Sequence, residues 1–335
     1  MSQLLEVKGL KKSFDVTRGL IKRKKQYLHA VNDVSFSVQK GEVLGIVGES
    51  GCGKSTLGNL IIQLLEPTEG EIIFDGVDLR KLPPEQLRKK REDIQMVFQD
   101  PFSSLNPRKR VFDIIAEPLK THGSYNKVEL EHEVLQLMDV VGLNRSYLNR
   151  YPHEFSGGQR QRIGIARAIA LKPKLIICDE PVSALDVSIQ SQILNLLKKL
   201  QKELQLTYIF IAHGLPAVKH VSDRIAVMYL GKIVELTTKE NLFTNPMHPY
   251  TEGLLSAIPI PDPTARKDER RLLEGDIPNP VNPPTGCAFH TRCPYKTELC
   301  ERVEPEFTEK RDGHFTACHH PLKEGKGIIS QHEKY

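Results

Sequence analysis

The sequence predicts an α/β fold with a P-loop core, an antiparallel β part, a helical part and a C-terminal extension rich in cysteine and proline. Three observations support this prediction. A glycine-rich loop, Gly48–Thr56, lies between a segment predicted as a buried strand and one predicted as a helix. The mainly apolar segments Leu175–Cys178 and Leu206–Ala212 are typical of parallel strands buried on both faces. Finally, 12 of the 22 prolines follow residue 245, so we predict domains at 1–245 and 246–335.

The first strands are predicted within residues 4–38, where hydrophobic and polar side chains alternate in two segments. A basic stretch, Arg18–Tyr27, separates them. We expect it to be a solvated loop, with contact to anionic lipid head groups as the alternative. Phe14, or alternatively Tyr27, is a candidate to stack on an adenine ring, because an aromatic side chain can pack on the π face of a base. Either could instead be an ordinary core residue.

The glycine-rich loop fits the pattern G-x-x-x-x-G-K-[ST]. Its glycines let successive backbone N–H groups point at one anion, and the following helix adds its positive N-terminal end. Lys54 is then expected to reach the β- and γ-phosphates, and the Ser55 hydroxyl to bind Mg²⁺. The predicted phosphate-binding residues are Gly48, Glu49, Ser50, Gly51, Cys52, Gly53, Lys54, Ser55 and Thr56.

Residues 101–172 are predicted as a helical subdomain. A buried strand before it ends at Gln99, whose carbonyl oxygen could serve Mg²⁺ or an attacking water. Asn126–Val141 is predicted as an amphipathic helix with an apolar face that includes Val128. A second anion site is predicted where a later helix begins, because Ser156 can cap it and two glycines allow close approach. Its residues are Ser156, Gly157, Gly158 and Gln159.

Polar residues follow two of the predicted central strands. Asp179 is placed to hold Mg²⁺, and Glu180, which points elsewhere, to orient or deprotonate water. His213 ends the next strand, where ligands bind in open α/β sheets, and could hydrogen-bond a γ-phosphate. The catalytic candidates are therefore Glu180, His213 and Gln99, and the Mg²⁺ candidates are Ser55, Gln99 and Asp179.

Composition limits the other classes of function. The net charge is +5, from 47 Lys+Arg and 42 Asp+Glu, which does not by itself predict a nucleic-acid partner. The longest apolar runs have the length of strands, so no membrane span is predicted. The first residues lack the pattern of a secretory signal, and we expect a cytosolic chain that depends on another subunit for any action at a membrane.

The order of these motifs resembles the ATP-binding-cassette (ABC) ATPases over about residues 4–240. The resemblance implies a RecA-like core that binds ATP with Mg²⁺, with Glu180 as the catalytic carboxylate and His213 as the switch residue. It also implies that Ser156–Gln159 contacts the ATP of a partner cassette. Two departures stand out: Phe155 replaces the commoner Leu, and Gly214 with Pro216 replaces the usual turn after the histidine.

The C-terminal part resembles the corresponding region of oligopeptide and dipeptide importer ATPases, in Asn245–Thr251 and Asn282–Pro294. This resemblance implies a sister ATPase, two membrane permeases, an extracytoplasmic peptide-binding protein, and a peripheral position on the cytoplasmic face of the cell (inner) membrane. The alternatives are an importer ATPase for another cargo, such as nickel or a sugar, and a soluble ABC ATPase that acts on nucleic acid or ribosomes.

Four cysteines in the extension have the spacing C-x₅-C-x₆-C-x₁₇-C: Cys287, Cys293, Cys300 and Cys318. In a reducing cytosol such a group indicates metal rather than disulfides. Zinc sites more often use closely paired cysteines, whereas four thiolates suit a [4Fe–4S] cluster. The cluster, a zinc site that includes nearby histidines, and unliganded thiols all remain open at this point.

Overall fold

The computed structural model describes residues 2–17, 25–258 and 275–323, so that residues 18–24 of the basic stretch lie outside the described residues. The strands of the described part are β1 Gln3–Asp15, β2 Tyr27–Gln39, β3 Val43–Val47, β4 Glu69–Phe74, β5 Val77–Asp78, β6 Ile94–Val97, β7 Leu175–Asp179, β8 Thr207–Ala212, β9 Arg224–Tyr229, β10 Lys232–Thr238, β11 Thr308–Arg311 and β12 His314–Thr316. Its helices are α1 Lys54–Ile61, α2 Pro84–Lys90, α3 Val111–His122, α4 Lys127–Val140, α5 Gly157–Ile169, α6 Val187–Leu204, α7 Leu215–Val221, α8 Lys239–Thr244, α9 Pro249–Ser256 and α10 Glu298–Arg302.

The larger sheet of the described residues has the order β11-β12-β10-β9-β3-β8-β7-β6. Strands β3, β6, β7 and β8 are mutually parallel, and every residue of β3, β7 and β8 is buried. This confirms the prediction of central parallel strands, because such strands are covered on both faces by helices and sheets. The carboxyl ends of parallel strands meet at one edge, so the loops after β3, β7 and β8 lie together there.

The smaller sheet is antiparallel, with the order β2-β1-β4-β5. Its first two strands are joined through the basic stretch, and their register places Phe14 opposite Leu28. Hydrophobic side chains from β1 and β2 form one core with those of α1. The predicted antiparallel strands are therefore present, and they bring Phe14 to the same side of the molecule as the start of α1.

Helices α3, α4 and α5 make up the helical part, and their apolar side chains join the second core. In α4 the buried stripe consists of Leu130, Val134 and Met138, at the spacing of one helix face. The prediction that Val128 belongs to this face is wrong, since its side chain is 78% exposed. Val128 precedes Leu130 by two residues, which places it about 200° away around the helix axis.

The C-terminal extension joins the larger sheet. Strand β12 pairs with β10, with Thr316 opposite Glu235 and Phe315 opposite Leu236. A buried contact reinforces this pairing, because His314 Nε2 lies 2.7 Å from Glu235 Oε1. The extension is thus continuous with the sheet that carries the phosphate loop. Among the described residues, none of the helices combines the length and the apolar character that crossing a membrane requires.

Candidate functional site

The phosphate loop joins β3 to α1 and surrounds its own lysine. The ammonium group of Lys54, which is only 4% exposed, donates to the carbonyl oxygens of Gly48 at 2.8 Å and Glu49 at 3.0 Å. These carbonyls accept from two of its three donors. A phosphate oxygen is a stronger acceptor than a carbonyl, because it carries charge, so the lysine is prepared to exchange these contacts for a phosphate.

Two glycines of this loop are required by contacts with other segments. A Cβ on Gly48 would lie 2.1 Å from the carbonyl oxygen of Met228, and a Cβ on Gly53 would lie 2.0 Å from that of Ala30. Gly53 also has a φ of +104°, which side chains rarely allow. The loop therefore packs against the backbone of β2 and β9, which sets the position of its N–H groups.

The carboxylate of Asp179, at the end of β7, accepts a hydrogen bond of 2.9 Å from the Ser55 hydroxyl. Burial raises the pKa of Asp179, and the bond from Ser55 opposes that change. A hydroxyl and a carboxylate side by side are the oxygen ligands that Mg²⁺ prefers, and a cation would remove the cost of burying the charge. Ser55 and Asp179 therefore fit the predicted Mg²⁺ site, whereas Gln99, the third candidate, hydrogen-bonds Glu180.

Glu180 follows directly and is contacted from both sides. Gln99 Nε2 donates to its Oε2 at 2.7 Å, and His213 Nε2 lies 2.7 Å from its Oε1. The carboxylate residue is 4% exposed and has a φ of +47°, a conformation that side chains seldom adopt. This turn separates Glu180 from Asp179, so the two carboxyl groups have different neighbours. The three catalytic candidates thus meet at one point.

A cleft of about 270 Å³ connects these groups. It is lined by Phe14, Leu28, His29, Ala30, Ser50, Gly51, Gly53, Lys54, Ser55, Thr56, Gln99, Glu180, His213, Leu230, Gly231 and Pro280. Phe14 lies in this lining, whereas Tyr27 is 40% exposed and lies outside it. Of the two aromatic candidates for adenine, the geometry therefore favours Phe14.

The second predicted anion site is not part of the cleft. Ser156 caps α5, accepting from Gln159 N–H at 3.4 Å, while Gln159 Oε1 accepts from the N–H of Ser156 at 3.0 Å. Ser156 is exposed, so this helix start faces outward. The unusual Phe155 is buried edge-on against Tyr147. The substitution of Phe for Leu is thus accommodated in the core and leaves the helix start accessible.

The loop after His213 forms a helix. Gly214 has a φ of −99°, and α7 begins at the next residue with Pro216 in its first turn. Proline is well tolerated there, since that N–H has no partner within the helix. Gly214 and Pro216 are therefore compatible with a regular helix after His213, and the His213 side chain contacts Glu180.

The cysteine cluster, consisting of Cys287, Cys293, Cys300 and Cys318, lines one small cavity together with His248, His290, His319 and His320. All four cysteines carry free thiols. Burial, assisted by the neighbouring thiols, raises the pKa of Cys293 and of Cys318 to about 12. However, no group of three or more His, Cys, Asp or Glu within the described ranges has the arrangement of a metal site. The structure thus gathers the four sulfurs without arranging them as ligands.

Several lining residues were not identified from the sequence. His29, Ala30 and Gly231 reach the cleft through sheet pairing, and Pro280 reaches it from the extension. None of them belongs to a motif with a fixed spacing. Only the opposition of Phe14 and Leu28 in the strand register could have indicated that β2 also lines the cleft.

Two family models match the chain. One, described as "ABC transporter", matches residues 31–183, and one described as "Oligopeptide/dipeptide transporter, C-terminal region" matches residues 234–300. Among curated proteins, the oligopeptide transport ATP-binding protein AppF of Bacillus subtilis (strain 168) is 57% identical over 318 residues, covering 94% of this chain and 97% of the relative. The oligopeptide transport ATP-binding protein OppF of Haemophilus influenzae is 54% identical over 319 residues, covering 94% and 96%.

Solved structures with the same fold include the ATP-binding cassette MJ0796, in a dimeric post-hydrolysis state bound to ADP and Pi. It is 30% identical, with a TM-score of 0.63, and covers 70% of this chain and 99% of that one. The structure of cbiO1 from Clostridium perfringens, part of the transporter complex cbiONQ, is 28% identical with a TM-score of 0.62, covering 73% and 92%.

Proposed function

The chain belongs to the oligopeptide-transport ATPases of the ABC transporter family, and from this premise we propose that it drives peptide import by binding and hydrolysing ATP. The observation that carries the proposal is the convergence of Gln99 and His213 on Glu180, since all three line the same cleft as the phosphate loop. Three residues from distant parts of the chain meet where the γ-phosphate of a bound nucleotide would be attacked.

In the proposed site, Phe14 packs on the adenine, and residues 48–56 bind the phosphates through backbone N–H groups and the Lys54 ammonium. Ser55, Asp179 and Gln99 are the proposed holders of Mg²⁺, which would neutralise phosphate charge. Glu180 accepts a proton from water, and Gln99 and His213 orient that carboxylate. His213 also serves as the proposed γ-phosphate contact.

We further propose that Ser156, Gly157, Gly158 and Gln159 bind the ATP of a second cassette. The support is their position: they form a helix start outside this chain's own cleft, Ser156 is exposed there, and the first turn of a helix offers backbone N–H groups to an anion. A related cassette of the same fold is described as a dimer. ATP held between two subunits would supply contacts that only the closed pair makes, so that binding shifts the pair towards closure.

The partners proposed are a non-identical sister ATPase, two transmembrane permeases and an extracytoplasmic peptide-binding protein. The chain itself would lie peripherally at the cytoplasmic face of the cell membrane. We divide it into a cassette of residues 1–245 and an importer-type extension of residues 246–335, which share one sheet. An importer for nickel or a sugar is the second candidate, and a soluble ATPase acting on nucleic acid or ribosomes the third.

The test is to measure ATP hydrolysis by this chain alone, with its sister ATPase, and with sister and permeases in lipid. Activity that requires the membrane-embedded complex and rises with peptide-loaded binding protein is the expected result. Full activity of the isolated chain, indifferent to permeases, would contradict the importer assignment. Stimulation by nickel- or sugar-loaded binding protein instead of peptide would support the second candidate. Co-sedimentation with ribosomes would support the third.

We also propose that the cysteine cluster holds a [4Fe–4S] cluster, with Zn²⁺ as the alternative. The support is the donor set alone, since four thiols line one cavity and such clusters are held by four cysteine thiolates, whereas the described residues show no arranged metal site. Anaerobic purification followed by iron, sulfide and zinc analysis distinguishes the two metals, and Cys300→Ser should lower the bound metal. A colourless protein free of iron and zinc would exclude both.

A further inference from the structure

A residue of the C-terminal extension forms an ion pair with a residue of the phosphate loop. Arg292 donates from two guanidinium nitrogens to the two carboxylate oxygens of Glu49, at 2.7 and 3.0 Å, across 243 residues of sequence. The Arg292 side chain is 5% exposed and that of Glu49 is 23% exposed. Such a bidentate pair, largely removed from water, fixes both distance and orientation.

The backbone of the same loop residue is held as well. The N–H of Glu49 donates to the hydroxyl of Tyr250 in α9 at 2.9 Å, and Tyr250 is fully buried. The Glu49 carbonyl in turn accepts from Lys54. Glu49 therefore connects the extension, on one side, to the lysine that is expected to bind phosphate on the other.

Arg292 lies next to a buried cluster of aromatic side chains, which fixes the backbone that carries it. It ends the short 3₁₀ helix His290–Arg292, which begins right after Phe289. Phe289, Tyr229 and Tyr250 are buried and pack against one another with ring centroids 4.7–5.4 Å apart. The hydrogen bonds with Glu49 raise the pKa of Arg292, which keeps it charged. These contacts hold the Arg292 side chain in one conformation.

The charge of Glu49 bears on anion binding by the loop as well as on stability. A carboxylate within a loop that receives a highly charged anion would repel that anion, and the repulsion is weakly screened at a partly buried site. Pairing with Arg292 cancels the charge of Glu49 and turns its carboxylate towards the extension. The same contact fixes the position of Glu49, whose carbonyl oxygen accepts a hydrogen bond from Lys54.

We propose that Arg292 is a positioning residue for nucleotide binding, which acts through Glu49 by neutralising the carboxylate and holding the phosphate loop in the shape that receives the phosphates. The proposal rests on the proposed function, in that ATP phosphates are taken to bind residues 48–56. It assigns the C-terminal extension a direct part in the ATP site of its own chain.

The experiment measures dissociation constants of Mg·ATP and Mg·ADP for the full chain, comparing the wild type with Arg292→Gln, Glu49→Gln and the double variant. Arg292→Gln should weaken ATP binding by about tenfold or more, and ADP binding less, because ADP carries less charge. Adding Glu49→Gln should recover most of this loss, because the unpaired carboxylate is then absent. The matched control is Arg302→Gln, an exposed arginine of the extension that pairs with Glu298, which should bind as the wild type does.

Unfolding temperatures separate positioning from loss of structure. If Arg292→Gln does not fold, Arg292→Lys serves in its place, because lysine keeps the charge but not the bidentate contact. Equal affinity of Arg292→Gln and wild type, an equal loss for ATP and ADP, or a double variant no better than Arg292→Gln would each overturn the proposal. A wild-type chain that binds no ATP would overturn the proposed function instead, and Lys54→Ala marks that baseline.

Discussion

The imidazole of His213 lies 2.7 Å from Oε1 of Glu180, across the gap between the ends of two parallel strands. The side chain of Gln99 takes the other carboxylate oxygen. Each of these residues ends or follows a different strand, so a change in the spacing of β6, β7 and β8 would alter the orientation of the carboxylate. A movement of Gln99 or His213 would therefore change the orientation of the Glu180 carboxylate.

Glu180→Gln should leave ATP binding intact and lower turnover by about a hundredfold or more, since an amide cannot accept the proton from water. The shape of the side chain is conserved, and it still offers partners to Gln99 and His213. ATP affinity and single-turnover hydrolysis are the measurements, with Glu203→Gln on the exposed face of α6 as the control. Rapid hydrolysis by Glu180→Gln would refute the catalytic role.

Ser156→Arg should block the ATP site of the partner cassette more than the site of this chain. The added side chain would fill the exposed helix start, whereas the cleft of this chain contains other residues. ATP binding to the isolated chain should be unchanged, while hydrolysis by the assembled pair falls. Ser124→Arg, at another exposed serine, is the control. A loss of binding in the isolated chain would show that the geometry across the subunits is wrong.

Phe14→Ala should weaken nucleotide binding by about 1–3 kcal/mol, the usual value of stacking between an aromatic side chain and a base. Phe14→Tyr should retain most of the affinity, because the ring remains. Tyr27→Ala is the matched control, since Tyr27 lies outside the cleft. Fluorescent-nucleotide titration provides the measurement, and a larger effect of Tyr27→Ala would reverse the assignment.

His248 should make the fold less stable in mild acid. Its Nδ1 accepts from the N–H of Tyr250, and burial lowers its pKa from 6.5 to about 4. The native state therefore stays neutral at this residue where the unfolded chain takes up a proton. Stability should be unaffected above about pH 6.5, fall as the pH decreases to about 4, and lose up to about 3 kcal/mol from this group.

The measurement is denaturant unfolding at pH 7 and pH 4.5. His248→Asn keeps a hydrogen-bond acceptor at the start of α9 and cannot be protonated in this range. It should show a smaller loss of stability between the two pH values than the wild type. An identical loss in both proteins would assign the acid sensitivity to other groups.

Local patterns sufficed for much of the cassette. Glycine spacing predicts the loop at residues 48–56, and an apolar run ending in carboxylates predicts β7, because each depends on neighbours in sequence. The amphipathic pattern of α4 was less reliable. Val128 is as apolar as the buried Val134, but it lies on the opposite side of the helix from the stripe that begins at Leu130, so position around the helix axis and not apolarity decides which valine is covered.

Contacts between distant segments could not be predicted in this way. Arg292 and Glu49 are separated by most of the chain, and no sequence motif that contains one of them predicts a contact with the other. The same holds for Pro280 at the cleft and for the pairing of β12 with β10. Such contacts depend on how the extension returns to the cassette, which is a property of the folded chain as a whole.

The pairing of β10 with β12 has a consequence for biosynthesis. A ribosome releases β10 long before His314–Thr316, so the nascent cassette carries an open strand edge until almost the whole chain has emerged. Open edges recruit strands from other chains and lead to aggregation. A variant truncated after residue 245 would keep this edge of β10 open, whereas in the described residues β12 pairs with it. The extension thus closes the β10 edge once it has been synthesised.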